Sequence, residues 1–251
     1  MNNVIISRSL LVTLFLLCIT INRSGSRKEG DAAPDNFYNL AEAGICLNTN
    51  ALQFVQNYIQ LNRNELYTIR QRSRSPFALI DSVFSRYHLP IQLKYLAVIE
   101  SELKTKATSR VGAVGPWQLM PETAQLLGLK ITHGQDERTQ YAKSTRAAAV
   151  YLKDLYAEFG DWLLVLAAYN GGPASVYHAI RKSGSRNFWN LQYYLPAESR
   201  VHVKKFIAAH YYFEGHGSIA TLTRTERLAF LAAHKTQQPE TPALGVLAAN
   251  W

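Results

Sequence analysis

The sequence predicts a mostly α-helical protein. Three features carry that prediction: apolar residues recur every three to four positions from about residue 51 to 215, cap and stop residues bracket those stretches, and no run alternates apolar with polar for a useful strand length. Phe77 to Tyr87 carries Leu79, Ile80, Val83, Phe84 and Tyr87 on one stripe. Pro90 falls where the first turn of the next helix is expected. That helix, Ile91 to Leu103, is apolar on most sides through Leu93, Tyr95, Leu96, Ala97, Val98 and Ile99, which predicts burial. Another begins near Ser144 as its N-cap, with Ala148, Leu152, Leu155 and Phe159 as the stripe and Gly160 as the stop. Asp161 caps a short buried helix, Trp162 to Tyr169. Asn170-Gly171-Gly172 ends it, because those residues tolerate positive φ. Pro173 opens a helix to about Lys182, and Pro196 precedes the last clear one, Ala197 to Glu214.

The 251 residues suffice for one sizeable domain with flanking segments. Net charge is +9, which suits an anionic partner. The basic residues are scattered and no nucleic-acid motif accompanies them, so nucleic acid is not expected as a partner. Arg8 followed by the apolar run Leu10 to Ile21 reads as a secretory signal, too short for a comfortable membrane span. An uncleaved N-terminal anchor is an open alternative, and so is a lipoprotein modified at Cys18, although Leu17 is not the small residue usual before such a cysteine. Either would attach the chain to a membrane. The expected organisation is a signal or anchor at 1–25, a linker at 26–50, a catalytic domain at 51–215 and a tail at 216–251 without a recognisable module. Cys18 and Cys46 are the cysteines, so removal of the signal leaves no intrachain disulfide to form. Neither they nor the seven histidines show zinc-ligand spacing, and no metal or cofactor is expected.

Glu100 is the anomaly. It lies seven residues after Leu93, four after Leu96 and three before Leu103, on the apolar stripe of an apolar helix. A carboxyl there must be paired or held neutral. Either a general acid or a buried structural glutamate meets that condition.

The motifs around it narrow the choice. Glu100-Ser101 is followed by Ser109-Arg110-Val111-Gly112-Ala113-Val114-Gly115-Pro116-Trp117-Gln118-Leu119-Met120-Pro121, and then by Ala167-Ala168-Tyr169-Asn170-Gly171-Gly172. In order and spacing these blocks resemble those of the glycoside hydrolase family 23 lytic transglycosylases. Within that family the likeness is nearest to the membrane-bound murein transglycosylase D group. It extends from Val55 through Pro90 and on to Glu198-Ser199-Arg200 and Tyr211. Two departures stand out. Pro116 sits inside the Gly-x-x-Gln turn, and the 36 residues after Gly215 are too few for the wall-binding repeats that group often carries.

The resemblance implies a lysozyme-like fold (goose-type lysozyme/lytic transglycosylase) with a substrate groove between helices. It implies peptidoglycan glycan strands as substrate, an exported location in the cell envelope or periplasm, and Glu100 as acid and then base. Cleavage of the MurNAc–GlcNAc β-1,4 bond would then leave a 1,6-anhydroMurNAc end without hydrolysis. The sugar supplies its own nucleophile in that reaction, so one carboxylate suffices where most glycosidases need two. As candidate seconds, Glu102 would point away from Glu100 on a continuous helix, while Glu122, Asp136 and Glu137 have no distance legible in sequence. By resemblance Ser109, Gln118, Met120, Tyr169 and Asn170 line the sugar groove. Ser109 and Gln118 would bond N-acetyl groups or hydroxyls, and Tyr169 would hold the sugar or bond Glu100. Core packing is the other reading for Met120, and helix termination for Asn170. Trp117 either stacks on sugar or is buried. Glu198 and Arg200 would tie the last helix to the core, and Asp136 and Arg138 would form a loop ion pair. Two other classes stay in view: a muramidase or chitinase using water and a second carboxylate, and a catalytically silent wall-binding protein.

Overall fold

A computed structural model describes residues 45–235. The segment at 1–25, Cys18 and the end of the chain beyond residue 235 lie outside the described residues. In chain order come α1 (Thr49–Leu61), α2 (Arg63–Arg72) and α3 (Arg74–Arg86), then a 3-10 turn (Ile91–Lys94) running into α4 (Tyr95–Ser101), then α5 (Pro121–Leu126). A small antiparallel hairpin follows, β1 (Ile131–Thr132) against β2 (Gln135–Asp136), with Ile131 opposite Asp136. The remaining helices are α6 (Tyr141–Phe159), α7 (Trp162–Gly171), α8 (Pro173–Ser183), α9 (Phe188–Leu191), α10 (Ala197–Glu214) and α11 (Arg224–Lys235).

The architecture turns on α7. Its residues Trp162 to Ala168 are all buried, because a helix apolar on every side has no face to offer water. It is enclosed by α6, α8 and α10. Asp161 starts it as expected: its Oδ1 accepts from the Leu163 and Leu164 N–H groups at 2.9 and 3.2 Å. Gly171 lets α7 and α10 close up, since a Cβ there would lie 2.3 Å from Ser199 Oγ. The long α10 packs on α7 and also carries α1 and α4. The stripe Ala148, Leu152, Leu155 and Phe159 of α6 is buried as predicted, and Gly160 ends that helix at φ 65°.

Several boundaries differ from expectation, each for a local reason. The helix over Ile91–Leu103 is split. Pro90 stands before it rather than in its first turn, and α4 stops at Ser101 because Glu102 and Leu103 are left-handed (φ 55° and 65°). The Leu103 N–H donates back to Ala97 C=O at 3.1 Å, which tucks Leu103 into the core. Helix α6 begins at Tyr141, not after Ser144. Ser144 is buried within it and donates its hydroxyl to Gln140 C=O at 3.0 Å. Asn170 lies inside α7, and Gly172 (φ 77°) ends the helix. The two-residue strands are too short to leave an alternating pattern.

Residues 216–235, which sequence placed in a tail, join the body. Ser218 caps the 3-10 turn Ile219–Thr221 and its hydroxyl lies 2.8 Å from His210 Nε2 on α10. Asn48 donates to Glu226 Oε1 at 2.6 Å, and the Arg224 N–H donates to Asp161 Oδ2 at 2.6 Å.

His210 is buried edge-on against the Tyr95 ring. Burial, then the nearby His216 charge, lowers its pKa to about 3 from 6.5. Between those values the unfolded chain binds the proton and the folded protein does not. The stability contributed by neutral His210 is therefore complete above pH 6.5 and is lost as pH falls toward 3. From neutral to about pH 5 this one group removes up to about 1.4 kcal/mol per pH unit. Urea unfolding across that range measures it, and His210→Gln is expected to flatten the slope.

Candidate active site

Glu100 sits on the last turn of α4, whose residues Tyr95 to Val98 anchor it in the core. Its side chain keeps 14% exposure, and Oε1 lies 2.8 Å from Nε2 of His202 on α10, itself 8% exposed. The carboxyl is thus paired, and its partner comes from a helix about a hundred residues away in sequence.

The neighbouring wall is the segment from Ala107 to Leu119. Thr108 bridges Val114, and Val114 bridges Leu119. The Ser109 N–H donates to Ala113 C=O and the Ala113 N–H returns a bond to Ser109 Oγ, both at 2.9 Å. Gly115 to Gln118 is a turn closed by the Gln118 N–H on Gly115 C=O at 3.2 Å, and Pro116 fits its second position. Arg138, 6% exposed, clamps the segment. Its Nη1 donates to the carbonyls of Gly112 and Leu119, each at 2.9 Å, while Nη2 pairs with Asp136 Oδ2 at 2.7 Å. The hydrogen bond from Arg138 holds the Asp136 carboxyl below the usual carboxylate range. The expected Asp136–Arg138 ion pair is present and has this job.

Two further bonds fasten the wall to the helices beside it. Ser101 Oγ donates to Pro116 C=O at 2.8 Å, and Tyr169 Oη donates to Trp117 C=O at 2.7 Å. Burial, then the charge of Glu100, drives the Tyr169 pKa well above its ordinary value, so it remains a phenol. Tyr169 therefore lies within electrostatic reach of Glu100 but spends its proton on the Trp117 carbonyl.

The other residues named from sequence fall as follows. Gln118 is half-buried and its Nε2 donates to Gly115 C=O at 2.8 Å and Ala107 C=O at 3.2 Å. Met120 is 38% exposed, which removes the core-packing reading. Asn170 Oδ1 accepts from Ser199 Oγ at 2.8 Å, so it joins α7 to α10 rather than ending a helix. Trp117 is fully buried and donates Nε1 to Thr145 Oγ1 at 3.0 Å, which removes sugar stacking. The bond between Ser199 and Asn170 ties α10 to the core, while Glu198 is exposed and Arg200 half-buried.

Three of the four alternative carboxylates are held in ion pairs. Glu102 has left the helix and pairs with Arg72 at 3.3 Å and Lys104 at 2.8 Å. Glu137 pairs with Lys143 and accepts from the Lys130 N–H, and Glu122 is exposed on α5. Among the described residues no group of three His, Cys, Asp or Glu side chains is placed to hold a metal ion.

Sequence reading missed His202 and Ser199. The signal was available: Ser199, His202, Val203 and Phe206 form the buried stripe of α10, so a histidine there is as anomalous as Glu100 on its own helix.

Glu100 thus lies at the end of a short core helix whose next residue, Ser101, fastens the glycine-containing segment, and known proteins share the helical fold around it. The 70-kDa soluble lytic transglycosylase, solved in complex with bulgecin A, superposes with TM-score 0.53 at 21% identity over 78% of this chain and 33% of its own. That likeness concerns the fold. Residues 84–192 match the Transglycosylase SLT domain family. The membrane-bound lytic murein transglycosylase D of Escherichia coli K12 is 34% identical over 170 residues, 66% of this chain and 37% of that protein. The transglycosylase F of Klebsiella pneumoniae is 28% identical over 185 residues, 66% of this chain and 35% of its own. Residues 84–192 therefore match a Transglycosylase SLT domain, and the chain spans about a third of the length of these relatives.

The wall geometry makes unequal demands on its glycines. A Cβ on Gly115 (φ 86°) would lie 2.1 Å from Arg138 C=O, whereas one on Gly112 (φ 92°) meets nothing within 4 Å. Gly115→Ala is expected to destabilise by roughly 2 kcal/mol or more, and Gly112→Ala by roughly 1 kcal/mol from strain alone. Thermal melts of the two variants check the order.

Proposed function

We propose that the chain is a peptidoglycan lytic transglycosylase with Glu100 as its single acid/base. The observation that carries this reading is a carboxyl on a core-anchored helix, still part-exposed, with His202 as its side-chain partner. The other acidic residues considered are ion-paired or exposed elsewhere. That arrangement suits a reaction whose nucleophile belongs to the substrate.

The steps follow from the chemistry. Protonated Glu100 gives its proton to the glycosidic oxygen between MurNAc and GlcNAc as the C1–O bond breaks. The carboxylate left behind takes the proton of the C6 hydroxyl of the same MurNAc. O6 then bonds to C1, and a 1,6-anhydro end forms with no water consumed. Glu100 finishes protonated, ready for the next cut.

Ser109, Gln118, Met120, Tyr169 and Asn170 serve the groove in this reading. The Ser109 hydroxyl accepts from Ala113 N–H, which leaves its own proton to donate to sugar. Exposed Met120 offers apolar contact. Tyr169 acts by fixing the Trp117 carbonyl and Asn170 by fixing α10. The +9 charge suits an anionic polymer. The relatives are named membrane-bound, and among the described residues no helix is long and apolar enough to cross a membrane. Export to the envelope would fall to residues 1–25, as a cleaved signal, a retained anchor or a lipid attachment at Cys18.

The test is digestion of purified sacculi with the chain, followed by mass spectrometry of the muropeptides, with Glu100→Gln as control. Ends one water lighter than hydrolysed ones are expected from the native chain and should fall by at least about a thousandfold in Glu100→Gln. Hydrated reducing ends would instead indicate a muramidase. Binding to sacculi without product would indicate a silent wall-binding protein.

A further inference from the structure

The two ring nitrogens of His202 have unlike surroundings. Nε2 lies 2.8 Å from Glu100 Oε1, while Nδ1 is buried with no hydrogen-bond partner among the described residues. An imidazolium would bury an unpaired Nδ1–H, and so would the Nδ1–H neutral tautomer. A buried unpaired donor is heavily penalised, more so on a charged ring. The neutral tautomer protonated on Nε2 is the one form that keeps its N–H paired. Three neighbouring hydroxyl donors are spent: Tyr169 on Trp117 C=O, Ser101 on Pro116 C=O, Ser199 on Asn170.

We propose that His202 is a positioning residue, neutral and protonated on Nε2, whose N–H occupies Glu100 Oε1 and so places the transferable proton of the acid on Oε2. The inference rests on the reading of Glu100 as the acid. Oε1 accepts from His202 throughout. When Glu100 is protonated, its proton therefore resides on the other oxygen, which gives it to the glycosidic oxygen and later takes one from the C6 hydroxyl. The same N–H supports the carboxylate between the two steps, where negative charge is greatest. A ring fixed this way also bars rotation of the carboxyl, because turning it would break the bond to Oε1.

The full chain labelled with 15N-histidine provides the first test. Long-range 1H–15N correlation spectra distinguish the two tautomers and the cation, and loss of one signal set in His202→Gln assigns His202. Neutral His202 with its proton on Nε2 at neutral pH is expected; a proton on Nδ1, or a cation, overturns the proposal. The second arm is turnover of sacculi. His202→Ala is expected to lower kcat roughly ten- to hundredfold with KM little changed. His202→Gln, whose amide N–H can occupy the place of Nε2–H, should restore most of that loss. Full activity in His202→Ala, or equal loss in folded forms of both variants, overturns it. If His202→Ala does not fold, as judged by circular dichroism, the spectra and the Gln variant decide. If the native chain makes no anhydro ends, the reading of Glu100 fails, while the spectra still report the tautomer independently.

Discussion

The contact between Glu100 and His202 depends on the packing of α4 against α10. Neither helix holds its place alone. Helix α4 is two turns long and ends in a left-handed pair, and α10 is positioned by burial against α7 and by the Ser199–Asn170 bond. The Glu100 carboxyl thus inherits its position from the apolar core. A slide of α10 by a fraction of a turn would separate the pair, although neither residue had changed.

The neighbouring wall follows the same logic with different means. Its backbone runs through left-handed turns at Gly112 and Gly115, which the packing tolerates only without side chains or with strain. Its polar side chains mostly bond its own backbone or that of neighbours. Gln118, Ser109 and Arg138 each close some part of the segment, and Ser101 and Tyr169 pin it to the helices from which they project. Ser101 follows Glu100 directly, so one helix end carries the Glu100 carboxyl and also fastens the wall beside it.

Much of this was legible in sequence where a residue's role is set by its own helix. The stripe of α6, the Asp161 cap, the buried α7 and the anomaly of Glu100 all follow from spacing and chemistry along a few turns. The resemblance then joined blocks far apart in the chain. Long-range partners left weaker traces. His202 stood on a buried stripe, but nothing local says that its ring meets Glu100. Trp117 had equal claims to sugar and to core until the buried bond to Thr145 decided it. The break in the Ile91–Leu103 pattern comes from Leu103 folding back into the core, a tertiary demand that overrides helix periodicity. Residues 216–235 carried no motif because their attachment combines a few buried residues, Ala220 and Leu222 among them, with scattered polar contacts such as Asn48–Glu226 and His210–Ser218.

The central claim is that one carboxyl suffices because the substrate supplies the nucleophile. It is tested most directly by digesting sacculi in water enriched in 18O and following the label into the newly made glycan ends. The account predicts that the ends carry no 18O, since the oxygen joined to C1 is the sugar's own O6. Incorporation of one 18O per cut would contradict it, because water would then be the nucleophile and a second carboxylate would have to face Glu100.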